Sequence, residues 1–585
     1  MYSVVSTSYK ENMKERNKSM DYMKSLAIIG VLLFHVGIMT NGYLGVEIFF
    51  VISGFLFAKS HRDSIQRDEF KPFSFVAKRL LTFWPMVLVA SAVALVIGYF
   101  VMLPDDYENL AESVIASDFF ANNVLQAITI KNYWAIVNTY KPLMHTWYIG
   151  VLLQIYVFVA FVLWGCRKIL KRDKSKLILV IITLMSLLLY FLPIITASDK
   201  FYYFQYRLYE FTAGALIVYL PCENLDKTKG KLFGSIALFS NVFILFCGYS
   251  IPNLLAVPIV TVLICVFLAT HTQTNENYGI GEKAYSILSL PGKHSYDIYI
   301  WHQLIIAFSY YAVFQTVCIQ LVLVVIVLTV VMSILSSILM NKLKAHSSMI
   351  LKFLMNAAVT AVLCGISMFL YLHAGVVRDV PELNIDMNNV HRNMHAEYCD
   401  IPYSWDNDFS DQSKKHILVF GDSFGRDFAN ILNESDYSEL LEISYIYGYD
   451  CSSEMDRVNE ADLIFFGFNG WNLPDTIKDL PKDKLYIVGN KGYGNSNGII
   501  YAKRFSKDYF DQTVVMTDED ILNNNALKGI YGNRYIDMMG PVLTDNRISV
   551  FTDDNFYISQ DCKHLTQKGA QFYSRILDLS MLSQE

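Results

Sequence analysis

Long apolar runs separated by short polar stretches fill the chain up to about residue 375. Runs of about 17–25 apolar residues are typical of helices that cross a membrane. Eleven such runs are predicted, at 20–40, 43–59, 83–103, 146–166, 176–197, 203–221, 232–249, 253–270, 295–312, 314–340 and 350–375. The pattern therefore predicts a polytopic α-helical membrane domain over 20–375, preceded by a tail at 1–19.

Beyond residue 375 the pattern changes to that of a globular domain. Residues 376–412 are polar and turn-rich, which predicts a linker. From residue 413 to 585, short buried-type strands alternate with helical stretches, at Ile417–Phe420, Ala461–Phe466 and Lys484–Val488. This alternation predicts an α/β domain with a parallel sheet, in which ligands bind beyond the carboxyl ends of the strands.

Basic residues collect in the loops that share a side with the N-terminus. They are Arg62, Arg67, Lys71, Lys78, Arg79, Arg167, Lys168, Lys171, Arg172, Lys174, Lys176, Lys227, Lys229, Lys231, Lys342 and Lys344. The opposite loop, 104–145, is mainly acidic. Because cytoplasmic loops are enriched in Lys and Arg, the N-terminus is expected in the cytoplasm and, after eleven spans, the C-terminal domain outside.

Composition agrees with a membrane protein, since 53% of the 585 residues are hydrophobic and only 17% are charged. A net charge of −6 gives no reason to expect a nucleic-acid partner. The nine cysteines include no Cys-x-x-Cys pair, so no metal site is expected. Cys399 and Cys451 would be able to form a disulfide in an extracytoplasmic domain.

Several ionisable residues lie in or at the ends of the predicted spans. They are His35, Glu47, His145, Arg207, Glu210 and His302. Intramembrane ionisable groups tend to mark a substrate path or a catalytic site, and a neutral imidazole can act as a general base. Lys24, Lys78 and Arg79 lie near cytoplasmic span ends, where they would either bind a phosphate-bearing donor or only anchor the helices.

These residues belong to segments that resemble the acyltransferase-3 family of membrane O-acyltransferases. The segments are 24–35 (KSLAIIGVLLFH), 45–54 (GVEIFFVISG), 78–85 (KRLLTFWP), 145–147 (HTW), 207–214 (RLYEFTAG) and 295–302 (SYDIYIWH). The resemblance implies acetyl-CoA as cytoplasmic acyl-donor substrate, no bound cofactor, and a catalytic role for His35. The chain differs from the family's usual pattern in having Lys24 and Thr82 in place of Arg, and Leu152 to Gln154 in place of an acidic stretch.

The C-terminal domain carries a possible nucleophile and its base. Ser423 follows the first strand in Gly-Asp-Ser-Phe, and Asp561 and His564 lie three residues apart near the C-terminus. A serine needs a base and the base needs an orienting carboxylate, so these three residues suit covalent catalysis. Asn469 and Gly448 are candidate oxyanion donors. Cys562 is the less favoured nucleophile, because its neighbours give no reason for a lowered pKa.

The Gly-Asp-Ser, Gly-x-Asn and Asp-x-x-His blocks resemble the SGNH hydrolase and transferase family. An acyltransferase-3 domain joined to an SGNH domain implies a bacterial inner-membrane O-acetyltransferase that modifies a surface glycan such as peptidoglycan, O-antigen or exopolysaccharide. Two alternatives stay open at this point. The outer domain would be an esterase that removes acetyl groups, or the chain would be a transporter whose outer domain only binds glycan.

Overall fold

The computed structural model describes residues 18–129, 138–221, 227–271, 286–314, 316–344, 348–391, 394–450 and 452–583. The chain forms two compact units, 1–98 with 110–368 and 99–109 with 369–585. Most of the predicted tail lies outside the described residues. The boundaries differ from the predicted ones in that residues 99–109 and the described residues of 376–412 belong to the second unit.

The first unit consists of helices. They are α1 (Lys18–His35), α2 (Gly45–Gln66), α3 (Pro72–Val101), α4 (Pro104–Asp118), α5 (Asn122–Thr129), α6 (Trp147–Leu170), α7 (Ser175–Phe191), α8 (Ala197–Tyr202), α9 (Leu208–Ile217), α10 (Lys227–Phe246), α11 (Asn253–His271), α12 (Leu290–Lys293), α13 (Ser295–Ala312), α14 (Ile319–Lys344) and α15 (Met349–Leu372). Parts of α3 and α4 and the end of α15 fall in the second unit.

Every predicted span contains one of these helices, but the helices differ in length and polarity. Seven described helices are long and apolar enough to cross a membrane, at 42–66, 72–101, 144–170, 228–246, 253–270, 319–340 and 349–372. Helices α7 and α9 are apolar but shorter. Helices α1 and α13 carry charged residues such as Asp21, Lys24 and Asp297, which lower their hydropathy. The count of eleven spans, and the orientation derived from it, therefore stay predictions.

Two glycines bring α2 and α9 into backbone contact. A Cβ atom on Gly54 would lie 1.7 Å from the carbonyl oxygen of Phe211, and one on Gly214 would lie 2.0 Å from that of Val51. Only glycine permits such an approach. The close crossing places the polar residues at the start of both helices within reach of one another.

The second unit is built on a five-stranded parallel sheet in the order β2-β1-β3-β4-β6. The strands are β1 (Lys415–Gly421), β2 (Leu441–Tyr447), β3 (Leu463–Gly467), β4 (Leu485–Val488) and β6 (Tyr535–Ile536). The three predicted strands correspond to β1, β3 and β4. A separate antiparallel sheet has the order β5-β8-β7, with β5 (Thr513–Val515), β7 (Leu543–Thr544) and β8 (Arg547–Ser549).

In the described residues of the second unit, six further α-helices accompany the strands. They are α16 (Met394–Asp400), α17 (Ser423–Asn433), α18 (Met455–Glu460), α19 (Gly498–Tyr501), α20 (Asp518–Tyr531) and α21 (Gln567–Ile576). Helix α16 lies in the segment predicted as a linker. It packs on α17, where the Asn430 amide donates to the Cys399 carbonyl and Arg426 pairs with Asp400 at 2.7 Å. The described residues of this segment, 376–391 and 394–412, are thus part of the folded unit.

Candidate active sites

Ser423 lies at the start of α17, directly beyond the carboxyl end of β1. The chain turns sharply here because Gly421 has a φ of +134° and a Cβ atom at this position would lie 1.8 Å from the Gly467 carbonyl oxygen. The Asp422 carboxylate caps α17 by accepting a 2.9 Å bond from the Phe424 N–H. It also accepts a bond of 2.8 Å from the Asn469 N–H. Asp422 therefore joins the turn that carries Ser423 to the end of β3.

Ser423, His564 and Asp561 form a continuous hydrogen-bonded chain. The Ser423 Oγ atom lies 2.9 Å from His564 Nε2, and His564 Nδ1 lies 2.5 Å from Asp561 Oδ2. Since an ionised carboxylate only accepts, Nδ1 carries the proton and Nε2 is left to accept from the serine hydroxyl. This is the arrangement that a serine nucleophile needs from its base and orienting carboxylate.

The Asp561 carboxylate is held by several donors at once. Its Oδ1 atom accepts bonds from the Lys563 and His564 N–H groups at 2.9 and 2.7 Å. Burial by itself would raise the pKa of this carboxyl, but the hydrogen bond and charge of His564 together with the nearby His395 hold the pKa well below its usual range. Asp561 therefore stays ionised over the physiological pH range and keeps His564 in the required tautomer.

A buried ion pair beside the serine was not anticipated from the sequence. Asp427, four residues after Ser423 on α17, accepts the Leu565 N–H at 3.1 Å and pairs with Lys491 at 2.7 Å. Both side chains are at most 2% exposed. The Lys491 ammonium also lies 3.7 Å from the centre of the Phe424 ring. Asp427 thus ties the serine helix to the residue after His564.

His395 was also missed by the sequence reasoning. Its Nε2 atom lies 4.0 Å from Asp561 Oδ1, and burial lowers the pKa of its imidazole, against the raising effect of Asp561. It lies in the segment 376–412, whose lack of periodicity gave no signal. Lys491 lies in the glycine-rich turn 489–494 after β4, where the sequence pattern gives no sign of an ion pair.

The two candidate oxyanion donors differ in their surroundings. The Gly448 N–H donates a 2.9 Å bond to the Gly421 carbonyl and continues the β1–β2 ladder, so the prediction that this N–H serves an oxyanion is corrected. Asn469 is exposed at the end of β3, and its backbone N–H is taken by Asp422. The Asn469 side-chain amide stays the predicted donor.

The two described cysteines of this unit are buried thiols. Cys562 is buried at 3% exposure with a φ of +68°, and burial beside Asp561 and Asp106 raises the pKa of its thiol. A raised thiol pKa disfavours the nucleophilic thiolate. Cys399 is a free, buried thiol whose sulfur lies 3.5 Å from the Leu565 carbonyl oxygen. Cys451, its predicted partner, lies outside the described residues.

In the first unit, the three predicted histidines come together. The Nδ1 atom of His35 lies 3.0 Å from Nε2 of His302, and His302 Nδ1 lies 2.7 Å from the Tyr299 carbonyl oxygen. His145 is fully buried with its ring centre 5.5 Å from that of His302. The Gln303 side chain also contacts His35.

The carbonyl of Tyr299 determines the protonation pattern of this pair. A carbonyl only accepts, so in neutral His302 the proton lies on Nδ1 and Nε2 is the acceptor. His35 then donates from Nδ1, and its own Nε2 carries the lone pair. This tautomer of His35 has a basic Nε2, as a general base requires.

The charged residues of the first unit form a separate buried cluster. The Nη1 atom of Arg207 lies 2.7 Å from a Glu47 carboxylate oxygen and 2.9 Å from one of Glu210, and all three side chains are at most 2% exposed. The guanidinium also lies over the Phe201 ring, 4.9 Å from its centre. These pairs join α2 to α9 and the turn before it. The structure therefore divides the six predicted membrane residues into a histidine cluster and an ion cluster.

The predicted donor-binding residues differ in their surroundings. The Lys24 ammonium is 4.0 Å from Asp21 on α1. Lys78 is exposed, whereas the Arg79 guanidinium lies over the rings of Phe75 and Tyr156 at 5.4 and 5.1 Å. Their role toward acetyl-CoA stays a prediction.

Gln154 lies in the segment where this chain lacks the acidic stretch expected from the resemblance. Its side-chain amide donates a 2.9 Å bond to the Asn123 side chain, and Asn123 in turn donates to the Tyr202 carbonyl at 3.1 Å. An amide network, rather than a carboxylate, therefore joins α5, α6 and α8 here.

Comparison with known proteins identifies relatives of about half of this chain. One relative is BcsY of Komagataeibacter xylinus, which is named as a candidate membrane-bound transacylase. It is 24% identical over 334 residues, which are 56% of this chain and 83% of that protein. A candidate O-acetyltransferase of Staphylococcus aureus is 27% identical over 331 residues, which are 50% of this chain and 51% of that protein. This chain thus spans only about half the length of the staphylococcal relative.

No solved structure matches the chain. The sequence model of the acyltransferase domain family, acyltransferase-3, matches residues 17–342, which are more than half of the 585. Because this match covers more than half of the chain, the chain belongs to the acyltransferase-3 family. The apolar helices and the relatives just described agree that it is a multi-pass membrane acyltransferase.

Proposed function

We propose that this protein is an O-acetyltransferase that moves an acetyl group from cytoplasmic acetyl-CoA to hydroxyls of a cell-surface glycan, with Ser423 as the covalent carrier on the outside. The observation that carries the proposal is the bonded chain Ser423–His564–Asp561 in a protein that belongs to an acyltransferase family. A serine activated in this way forms acyl esters. The second unit, with Gly-Asp-Ser and Asp-x-x-His beyond parallel strands, is of the SGNH type in this proposal.

The outer half-reaction has two steps. Ser423 Oγ attacks the acyl carbonyl carbon while its proton passes to His564 Nε2, and the leaving group departs with that proton. A sugar hydroxyl then attacks the acetyl ester, His564 takes the hydroxyl proton, and Ser423 leaves and recovers a proton from His564. Asp561 stabilises the imidazolium in both steps, and the Asn469 amide donates to the oxyanion.

The inner half-reaction uses the histidine pair. His35 Nε2 takes the proton of an acyl-accepting hydroxyl as its oxygen bonds to the thioester carbonyl carbon. The carbon–sulfur bond then breaks, and CoA leaves as the thiol with the proton that His35 held. His302 supports this step because its Nε2 accepts from His35 Nδ1 and stabilises the charge that develops on His35. Lys24, Lys78 and Arg79 would bind phosphates of acetyl-CoA, for which ammonium and guanidinium groups are suited.

Mass spectrometry of surface glycans tests the outer step. Cells that lack the gene are complemented with the wild type, with Ser423→Ala, or with Ser413→Ala, an exposed serine of the same unit that serves as the matched control. Acetylated glycan should appear with the wild type and with Ser413→Ala but not with Ser423→Ala. More acetylation with Ser423→Ala than with the wild type would assign the domain to an esterase instead.

Release of CoA thiol from acetyl-CoA tests the inner step. Purified wild type in lipid vesicles should release thiol, and His35→Ala, expressed and folded to the same level, should not. Equal thiol release from His35→Ala would contradict the assignment of this base. Glycan acetylation that survives in cells carrying His35→Ala would favour a transporter or binding role for this unit.

A further inference from the structure

A cavity of about 590 Å³ lies in the second unit, lined by side chains that the proposed function does not use. Its wall includes Arg378, Arg504 and Lys507 together with the aromatic residues Tyr99, Phe100, Tyr501, Phe505, Tyr509 and Phe510. Two acidic residues, Asp379 and Glu382, also line it. Glu382 is buried, and its carboxylate accepts a 2.8 Å hydrogen bond from the Tyr509 hydroxyl.

The basic residues of this cavity are held in place by neutral groups. Arg378 donates to the Tyr99 carbonyl at 2.6 Å and to the Tyr501 hydroxyl at 2.9 Å. Arg504 donates to the Phe100 carbonyl at 2.6 Å. Among the described residues, no carboxylate forms an ion pair with Arg378, Arg504 or Lys507. Three cations that form no ion pair within the described part of the chain thus share one concave surface with Asp379 and Glu382.

Part of the arginine geometry has a structural explanation. Tyr99 and Phe100 lie in the last turn of α3, where carbonyl groups have no partner within the helix. Guanidinium groups at a helix C-terminus satisfy these carbonyls and complement the helix dipole. Each arginine has five N–H donors, however, and the carbonyl bonds use only some of them. Capping also gives no role to Lys507.

The last turn of a membrane-type helix forms part of the cavity wall. Helix α3 is one of the helices long and apolar enough to cross a membrane, and it ends at Val101, next to Tyr99 and Phe100. Around the cavity, large aromatic side chains are exposed: Phe505 at 88%, Phe100 at 57%, Phe510 at 44% and Tyr99 at 42%. Exposed aromatic rings mixed with Arg and Lys are typical of the membrane–water interface.

We propose that this cavity binds the phosphate of an anionic lipid headgroup at the bilayer surface. The guanidinium groups and Lys507 supply the positive charge that a phosphate requires, and the exposed rings contact the glycerol and upper acyl chain. A lipid is favoured over a soluble polyanion because apolar rings frame the basic groups and because the site adjoins the end of a membrane helix. The proposal goes beyond acyl transfer and does not depend on its mechanism.

Native mass spectrometry of the full chain in detergent tests the proposal. Dioctanoyl phosphatidylglycerol and dioctanoyl phosphatidylcholine are added in equal amounts, and the bound ratio is measured. We expect the wild type to prefer phosphatidylglycerol by at least about fivefold, since each basic residue near a membrane surface contributes about 1 kcal/mol toward anionic lipid. The preference should fall toward one in Arg504→Gln/Lys507→Gln.

Two further variants separate binding from folding. Lys507→Gln alone removes a charge without disturbing the α3 cap and should lower the preference. Lys482→Gln removes an exposed charge elsewhere in the same unit and should leave it unchanged. Equal binding of both lipids by the wild type, or an unchanged preference in both cavity variants, would overturn the proposal. If an equal concentration of glycerol 3-phosphate displaces phosphatidylglycerol, the cavity binds a soluble phosphate rather than a lipid, and the proposal is wrong.

Discussion

Nδ1 of His35 and Nε2 of His302 lie 3.0 Å apart, although 267 positions separate them in the chain. His302 is oriented from its other side by the Tyr299 carbonyl at 2.7 Å, which is part of its own helix. A rigid main-chain acceptor therefore determines which nitrogen of His35 carries the lone pair. In the proposed inner half-reaction, His302 acts through His35 and is a positioning residue.

Replacing His302 by an apolar ring tests this relationship. His302→Phe should lower kcat for CoA release from acetyl-CoA by about 10²-fold, because general-base catalysis typically contributes 10²–10⁴-fold. The KM for acetyl-CoA should change by less than about twofold, since the loss affects the transition state rather than donor binding. Steady-state kinetics of the protein in vesicles measures both values.

The matched variants distinguish positioning from general stability. His302→Gln keeps an oxygen that can accept from His35 Nδ1 and should recover part of the lost rate. His373→Gln, a histidine at the end of α15 outside both sites, should behave like the wild type. A His302→Phe protein with normal kcat would refute the role of the pair.

The buried pair Asp427–Lys491 allows a double-mutant cycle. Removing one partner leaves an uncompensated buried charge, which destabilises by about 3–5 kcal/mol, whereas removing both often costs much less. Lys491→Met and Asp427→Asn should each lower the midpoint of chemical unfolding of the second unit, and Asp427→Asn/Lys491→Met should recover most of the loss in Lys491→Met. Additive losses in the double variant would show that the two side chains do not interact.

Asp427 and Lys491 also mark the limit of what the sequence was able to predict. Ser423, Asp561 and His564 were identified because each belongs to a short motif, and Asp561 and His564 share one turn. Asp427 and Lys491 meet only when α17 and the turn after β4 pack together, so no local pattern indicates their pairing. Gly448 was assigned to an oxyanion site without knowledge of β2, whose ladder with β1 occupies its N–H.

The strands show the same limit. β1, β3 and β4 are continuous apolar runs because they are covered on both faces, and this pattern predicted them. β2 lies at the edge of the sheet and carries Glu442 and Ser444, so its apolar signal is interrupted. In the membrane unit, the helices followed from hydropathy, but the pairing of Glu47 with Arg207 depends on the glycine crossing of α2 and α9.

Asp105 makes the stability of the second unit dependent on pH. Burial, with the nearby charges of Asp106 and Glu108, raises the pKa of its carboxyl to about 7. The folded state then binds a proton that the unfolded state releases above about pH 4, so stability falls as the pH rises from about 4 to 7 and is level above that range. Asp105→Asn should remove this loss.

Thermal unfolding of the full chain at several pH values measures the effect. Asp105→Asn should be more stable than the wild type at pH 8, by about 1–2 kcal/mol after allowance for partial exposure, and the difference should shrink toward pH 4. Asp483→Asn, an exposed aspartate of the same unit, is the control and should show no such trend. A difference that does not depend on pH would contradict the raised pKa of Asp105.

The glycine crossing of α2 and α9 gives the last prediction. A methyl group on Gly54 would meet the Phe211 carbonyl oxygen at 1.7 Å, and this backbone atom cannot move aside as a flexible side chain would. Gly54→Ala should therefore force α2 and α9 apart and separate Arg207 from Glu47, which leaves buried charges unpaired. We expect loss of the monodisperse peak in size-exclusion chromatography or a markedly lower unfolding temperature in detergent.

Gly165→Ala is the matched control, because a Cβ atom at Gly165 on α6 has no neighbour within 4 Å and alanine favours helix by about 1 kcal/mol. It should be as stable as the wild type or more so, and equal behaviour of the two variants would show that the crossing tolerates a wider spacing.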